Sequence, residues 1–167
     1  MKRHTKYWLL AAGLVIWCAR DRAADLSLFV FGTLLVPDVG EVKLVDRMLR
    51  LSAEENLTLK LFTSNTTPAE GDTAATYTVA AGGGYADKTL TNGSWGAAST
   101  STGTTTSTYA EQTYTFTGAL TASATIYGYF VVGATSTVLY WAERAAATFQ
   151  PAANGETYKV TPVLGGE

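Results

Sequence analysis

The sequence has one cysteine and one histidine in 167 residues, and both, Cys18 and His4, lie close to its first residue. The remainder of the chain therefore has neither a thiol nor an imidazole. This excludes a disulfide, a cysteine nucleophile and a Ser/His/Asp triad there, together with a zinc site of the usual nitrogen and sulfur ligands. We therefore expect a protein that is not an enzyme and that binds neither a metal nor a cofactor.

Carboxylates are the remaining candidates for catalysis or metal binding. Glu111 and Glu143 on two predicted strands could form a glycosidase pair, but nothing in the sequence sets their separation, and solvated charges at strand edges are the favoured interpretation. Glu70–Asp72 offers oxygen ligands for calcium in a pattern much sparser than an EF-hand loop. The triple glycine Gly82–Gly84 lacks the Lys-Ser/Thr ending of a phosphate loop, and it predicts a turn or bulge.

Positive charge is scarce outside the first residues of the chain. The sequence has 12 Lys and Arg against 14 Asp and Glu. Five of the basic residues fall at the beginning: Lys2, Arg3, Lys6, Arg20 and Arg22. The remaining chain is acidic, whereas a nucleic-acid surface requires clustered cations. Nucleic acid is therefore not an expected partner, and no motif indicates a small-molecule substrate.

Residues 1–33 are interpreted as a leader separate from the fold. A basic beginning is followed by an apolar run from Tyr7 to Ala19, which is the layout of a secretory signal and is short for a transmembrane helix. Three interpretations stay open: an export signal, upstream sequence joined by an early start codon, and an anchor or arm. An export signal would imply a secreted or cell-surface protein.

Residues 34–167 predict a single domain that opens with a helix over about 39–52. Asp38 lies three residues before Glu41, which is the spacing of a capping box. Four apolar residues then recur at helical spacing: Val42, Val45, Met48 and Leu49. We expect this apolar face to pack against the core, and the alternative is a docking helix for a partner subunit.

Beyond the helix the period of the apolar residues changes from 3.6 to 2. In "LTLKLFTS", Leu57, Leu59 and Leu61 alternate with polar residues, which predicts a strand with one core face. The chain beyond the helix has about seven short strands in all, separated by Gly, Thr, Ser and Asn turns. The predicted fold is mainly β, an antiparallel β-sandwich or jelly roll with one N-terminal amphipathic helix.

The strand "ATIYGYFVV" is apolar or aromatic on both faces. One face carries Ile126, Gly128, Phe130 and Val132, and we expect it to fill the core. The other carries Tyr127, Tyr129 and Val131, whose hydroxyl-bearing rings suit cover by the helix, by a loop or by another subunit. Trp95, alone in a polar segment, is interpreted as a lid on the core or as an exposed contact. A possible subunit interface comprises Tyr127, Tyr129, Val131 and Trp95.

Several segments resemble a family of small proteins encoded among the structural genes of tailed bacteriophages. They are "LLVPDVGEVKLVDRMLRL", "LTLKLFTSNTTPAEGDTAATYT", "GGGYADKTLT", "YAEQTYTFTGALTASATIYGYFVV" and "LYWAER", and together they span about Leu34 to Pro162. The resemblance implies a virion component with a β-sandwich body, either a capsid cement or decoration protein or a small tail-associated protein.

The expected function is therefore a non-enzymatic structural role in the virion. The implied partners are other copies of the chain, for example in a trimer, and another virion protein such as the major capsid protein. The alternative is a secreted or tail-borne carbohydrate-binding or adhesin module. Four aromatic residues would then supply stacking faces for the glycan: Trp95, Tyr127, Tyr129 and Trp141.

Overall fold

The computed structural model describes residues 35–49, 51, 53–101 and 104–166, so the predicted leader lies outside the described residues. These residues form a mainly β fold with one α-helix, as predicted. The elements are α1 (Asp38–Met48), β1 (Leu57–Phe62), β2 (Lys88–Leu90), β3 (Ser99–Ser101), β4 (Thr104–Thr108), β5 (Gln112–Thr115), β6 (Ile126–Gly133), β7 (Leu139–Phe149), β8 (Thr157–Val160) and β9 (Val163–Gly166).

The strands are arranged in three antiparallel sheets. Four strands form the largest, in the order β2-β1-β6-β7, while β3-β4-β9 and β5-β8 form sheets of three and two strands. The central strands β1 and β6 pair with Leu59 opposite Val131. On the outer edge of β7, Leu35 forms an isolated bridge with Ala142, which places the start of α1 beside this edge.

The predicted alternation in β1 is confirmed. Leu57, Leu59 and Leu61 are buried in the larger of two hydrophobic clusters, which also receives side chains from β2, β5, β6, β7 and β8. Phe62 is buried as well, but in the smaller cluster on the opposite face of the sheet. The four-stranded sheet therefore has apolar cover on both faces.

The two faces of β6 differ from the sequence-based assignment. Tyr129 and Val131 lie in the larger cluster together with Ile126, whereas Phe130 and Val132 lie in the smaller one. The predicted grouping of Ile126 with Phe130 is wrong. The pairing of β6 with β7 shifts register between Ile126 and Gly128, and such an irregularity redirects the side chains on one side of it.

A loop of the same chain covers the second face of the sheet. The Tyr77 ring stacks on Phe130 at 5.1 Å between centroids and lies 4.9 Å from Phe62. The Tyr77 hydroxyl donates a hydrogen bond to the Asp72 carboxylate at 2.7 Å. The loop contains a 3₁₀ turn at Ala74–Thr76 and is tied to β1 by one bridge between Val79 and Phe62. This face therefore needs neither α1 nor another subunit for its cover.

Helix α1 begins one residue earlier than predicted and without the predicted capping box. Pro37 occupies the N-cap position, and no side chain caps the helix there. Asp38 and Glu41 instead both lie in the first turn, where negative charge interacts favourably with the helix dipole. The helix ends at Met48, short of the predicted end near residue 52.

Candidate functional site: the outer face of the helix

The four residues predicted to form a subunit interface do not share one surface. Val131 is 0% exposed and Tyr129 is 7% exposed, both in the larger cluster. Tyr127 is half-buried against the smaller cluster, on the opposite face of the sheet, and Trp95 is half-buried against the larger one. The prediction is wrong for Tyr129 and Val131, because the chain itself covers both faces of β6. For Tyr127 and Trp95 it stays a prediction.

Trp95 closes one side of the larger cluster. Its ring meets Tyr109 edge-on at 5.1 Å between centroids and meets Trp141 edge-on at 5.9 Å. Such perpendicular aromatic pairs contribute about 0.5–1.5 kcal/mol beyond the area that they bury. The interpretation of Trp95 as a lid on the core is confirmed.

The two tyrosines of β6 are held by contacts within the chain. The Tyr129 hydroxyl donates to the Glu143 carboxylate at 2.5 Å. Burial, together with the neighbouring Glu143 charge, raises the pKa of Tyr129 well above its ordinary value. The Tyr127 ring lies 5.2 Å from the Arg144 guanidinium, which also donates to the Thr66 carbonyl at 2.9 Å. These contacts stabilise the domain rather than present rings to a ligand.

The aromatic residues predicted to stack on a glycan are not brought together. Trp141 and Tyr129 are buried, while Trp95 and Tyr127 lie against different clusters on opposite faces of the sheet. A glycan platform needs exposed, coplanar ring faces on one surface. These four residues do not form one.

Three of the carboxylates considered for catalysis or calcium binding have partners within the chain. Glu111 pairs with exposed Lys159 at 2.9 Å, whereas Glu143 accepts the hydrogen bond from buried Tyr129. Asp72 accepts hydrogen bonds from the Ala69 amide at 2.8 Å and from Tyr77. Within the described ranges, no three acidic, histidine or cysteine residues are grouped so that they could hold a metal ion.

The inner face of α1 is formed by a glycine, a leucine and an arginine. Gly40 is buried, and a Cβ there would lie 3.0 Å from the Leu139 carbonyl oxygen and closer still to that of Tyr140. Leu44, one turn later, packs against the larger cluster. Arg47 lies over the Tyr140 ring, 5.2 Å from its centroid, and its guanidinium is 3.4 Å from the Glu55 carboxylate. These contacts determine which side of α1 faces the sheet.

Glu55 joins the helix to the turn between β6 and β7. Its carboxylate accepts hydrogen bonds from the Thr135 and Ser136 amides at 2.8 Å each, from the Ser136 hydroxyl at 2.7 Å and from the Tyr140 hydroxyl at 3.2 Å. Burial by itself raises the pKa of Glu55, but the hydrogen bonds from Ser136, Thr135 and Tyr140 outweigh it and lower the pKa to about 2. The group is therefore ionised throughout the physiological range.

The outer face of α1 is apolar and exposed. We define it as six residues of α1 and the turn after it, with these exposed fractions: Val39 37%, Val42 60%, Val45 53%, Met48 84%, Leu49 63% and Leu51 72%. Among the described residues, the other exposed large apolar side chain is Val79, at 36%. The prediction that Val42, Val45, Met48 and Leu49 pack against the core is wrong. Helical spacing shows that apolar residues share a face, but it does not show what covers that face.

One signal in the sequence was overlooked. A glycine inside a helix costs about 1 kcal/mol relative to alanine, so its presence indicates close backbone approach at that point. Gly40, Leu44 and Arg47 follow each other at four and three residues and therefore share one side of the helix. That narrow side, rather than the broad apolar one, faces the sheet.

Acidic residues border the outer face. Asp38 and Glu41 are exposed and Asp46 is half-exposed, and each lies four residues from Val42 or Val45 on the same side of the helix. Arg47 is turned inward to Glu55. Lys43 is half-exposed, so the surface that α1 presents is an apolar patch whose border carries three acidic residues and one lysine.

No protein-family model matches this chain, and neither a curated protein nor a solved structure matches it. None of the helices within the described residues has the length and apolar character that crossing a bilayer requires. The outer face of α1 is consequently interpreted from its own chemistry.

Proposed function

We propose that this chain is a non-enzymatic structural protein of a tailed-phage virion, a capsid cement or decoration protein that acts by binding other proteins of the particle. The observation that carries the proposal is the outer face of α1. Monomeric soluble proteins rarely expose a large contiguous apolar patch, and such patches mark interaction sites. Its occupants in the particle are other copies of the chain and a second virion protein such as the major capsid protein.

The β body supports this role as a rigid platform for the helix. In our interpretation, the four-stranded sheet and the β5-β8 sheet are the two layers of a β-sandwich, since both contribute side chains to the larger cluster, among them Leu59 and Tyr114. The Tyr114 hydroxyl donates to the Leu59 carbonyl at 3.2 Å across this cluster. A fixed body suits a protein that is repeated many times on a particle, because weak contacts add up through multivalency.

The carbohydrate-binding alternative has lost its structural basis. It depended on Trp95, Tyr127, Tyr129 and Trp141 as stacking faces, and two of these residues are buried. No other group of exposed aromatic side chains on the described surface replaces them. We therefore retain the assembly role alone.

Mass spectrometry of purified virions tests the proposal. The phage that encodes this chain would be grown with the wild-type gene, with Val45→Asp and Leu49→Asp together, or with Val79→Asp as a matched control. We expect many copies of the wild-type and Val79→Asp chains per particle, and at least about a tenfold loss for the α1 variant, since a buried charge opposes docking. Absence of the wild-type chain from gradient-purified particles would contradict the proposal.

A further inference from the structure

The size of the outer face is that of one half of a protein–protein interface. From the exposed fractions of its six residues, their total accessible surface is on the order of 700 Å², compared with about 800 Å² per partner in a standard interface. The largest apolar patch on a typical monomer is about 300 to 600 Å². Two such faces in contact would bury more than the roughly 1,000 Å² that a specific interface requires.

The spacing along the face allows it to pack against a second helix. Val42, Val45 and Leu49 follow each other at three and four residues, which is the a/d spacing whose side chains interdigitate between neighbouring helices. Val45 lies at the centre of the face, and Met48 and Val39 widen it on either side. An interface with two-fold symmetry uses the same patch on both copies, so this one patch supplies both halves of the interface.

We propose that the outer face of α1 docks against the same face of a second copy of the chain, with Val45 near the symmetry axis. This inference rests on the proposed function and names the first partner of that site. Each copy brings three acidic residues, Asp38, Glu41 and Asp46, and one half-exposed lysine, Lys43, so the two approaching faces share a net negative charge whose repulsion weakens the pair at low salt. Salt screens this repulsion, so self-association strengthens as the salt concentration rises.

Sedimentation velocity of the full chain, from about 1 to 500 μM, measures the self-association. We expect reversible formation of a larger species by the wild type, with a Kd that falls as NaCl is raised from about 50 to 500 mM. Val45→Asp with Leu49→Asp should raise the Kd at least about 100-fold. Val79→Asp should leave the Kd unchanged, because it introduces the same carboxylate at an exposed valine outside the face. Thermal melting of each variant confirms that it is folded.

Cysteine cross-linking tests the position of the symmetry axis. In a Cys18→Ser background, Val45→Cys should form an intermolecular disulfide under mild oxidation, because cross-linking requires Cβ atoms about 3.5–4.5 Å apart. Val79→Cys should not cross-link under the same conditions. Equal cross-linking at both positions would show random collision and overturn the proposed geometry.

A monomer at every concentration would overturn the inference, and so would an assembly that Val45→Asp with Leu49→Asp leaves intact. An association that weakens with salt would also overturn it, because that sign requires opposite charges at the contact, whereas two copies of the outer face bring the same net negative charge. These outcomes are separable from failure of the proposed function. A monomer that is nevertheless found in purified virions refutes the self-pairing alone, whereas a self-associating chain that is absent from virions refutes the virion role alone.

Discussion

Arg47 and Glu55 form a largely buried ion pair, 3.4 Å between guanidinium and carboxylate, that joins α1 to the β-sheet. The Arg47 side chain is 20% exposed and that of Glu55 is 10% exposed, so solvent screens the pair only weakly. The pair turns the one arginine of α1 toward the protein. As a consequence, the apolar side of the helix faces outward.

Glu55→Gln should destabilise the protein. The change removes the negative charge opposite Arg47 and replaces one acceptor oxygen by a donor amide facing the Ser136 and Thr135 amides, so we expect a loss of about 2 to 4 kcal/mol in the free energy of unfolding. Urea denaturation measures it. Glu111→Gln is the control, because its ion pair with Lys159 is exposed and should contribute less than about 1 kcal/mol. Equal losses for both variants would contradict the role assigned to Glu55.

The stabilising effect of Glu55 should disappear in acid. The folded-state pKa of about 2 is below the ordinary value of 4.5, so the folded state favours the ionised form. The resulting stabilisation, about 3 kcal/mol, is complete above pH 4.5 and is lost as the pH falls toward 2. The difference in unfolding free energy between wild type and Glu55→Gln should therefore shrink over that interval. A difference that stays constant from pH 6 to pH 2.5 would refute the assignment.

Gly40→Ala should destabilise the packing of α1 against β7, even though alanine favours a helix more than glycine does. Alanine is the better helix former by about 1 kcal/mol, but its Cβ would meet the Leu139 and Tyr140 carbonyl oxygens. We expect a net loss of about 1 to 3 kcal/mol, measured by thermal melting, with faster hydrogen exchange in α1. Gly71→Ala is the matched control, since a Cβ there meets nothing within 4 Å. A stabilised Gly40→Ala protein would mean that α1 does not lie against β7.

Tyr127→Ser with Tyr129→Ser should affect folding rather than assembly. Tyr129 is buried, and Tyr127 packs against the smaller cluster, so the double change should cost more than about 3 kcal/mol. Melting measures this loss, and light scattering of the fraction that remains folded should give the wild-type mass. A stable double variant with a smaller mass would instead restore these tyrosines as the subunit interface.

Local patterns of residues were sufficient to predict the elements that they encode directly. The alternation of Leu57, Leu59 and Leu61 predicted β1 and its core face, because successive side chains of a strand point to opposite sides. The spacing of Val42, Val45 and Leu49 predicted the helix for the corresponding reason. For the lone Trp95 the sequence left open a lid on the core or an exposed contact, and its packing against Tyr109 and Trp141 decides for the lid.

Contacts between distant segments determine what covers each face of the sheet and of α1, and no local sequence pattern predicts those contacts. Tyr77 covers Phe130 only because the loop after β1 folds back over the sheet, across more than 50 residues of sequence. The register shift in β6 depends on its pairing with β7 and moved Ile126 to the face of Tyr129. The orientation of α1 follows from Arg47 meeting Glu55 and Gly40 meeting the β7 backbone. The sequence by itself determined that α1 has an apolar side, and the tertiary structure decided that this side faces outward, because burying Gly40 and pairing Arg47 leaves the opposite side of the helix uncovered.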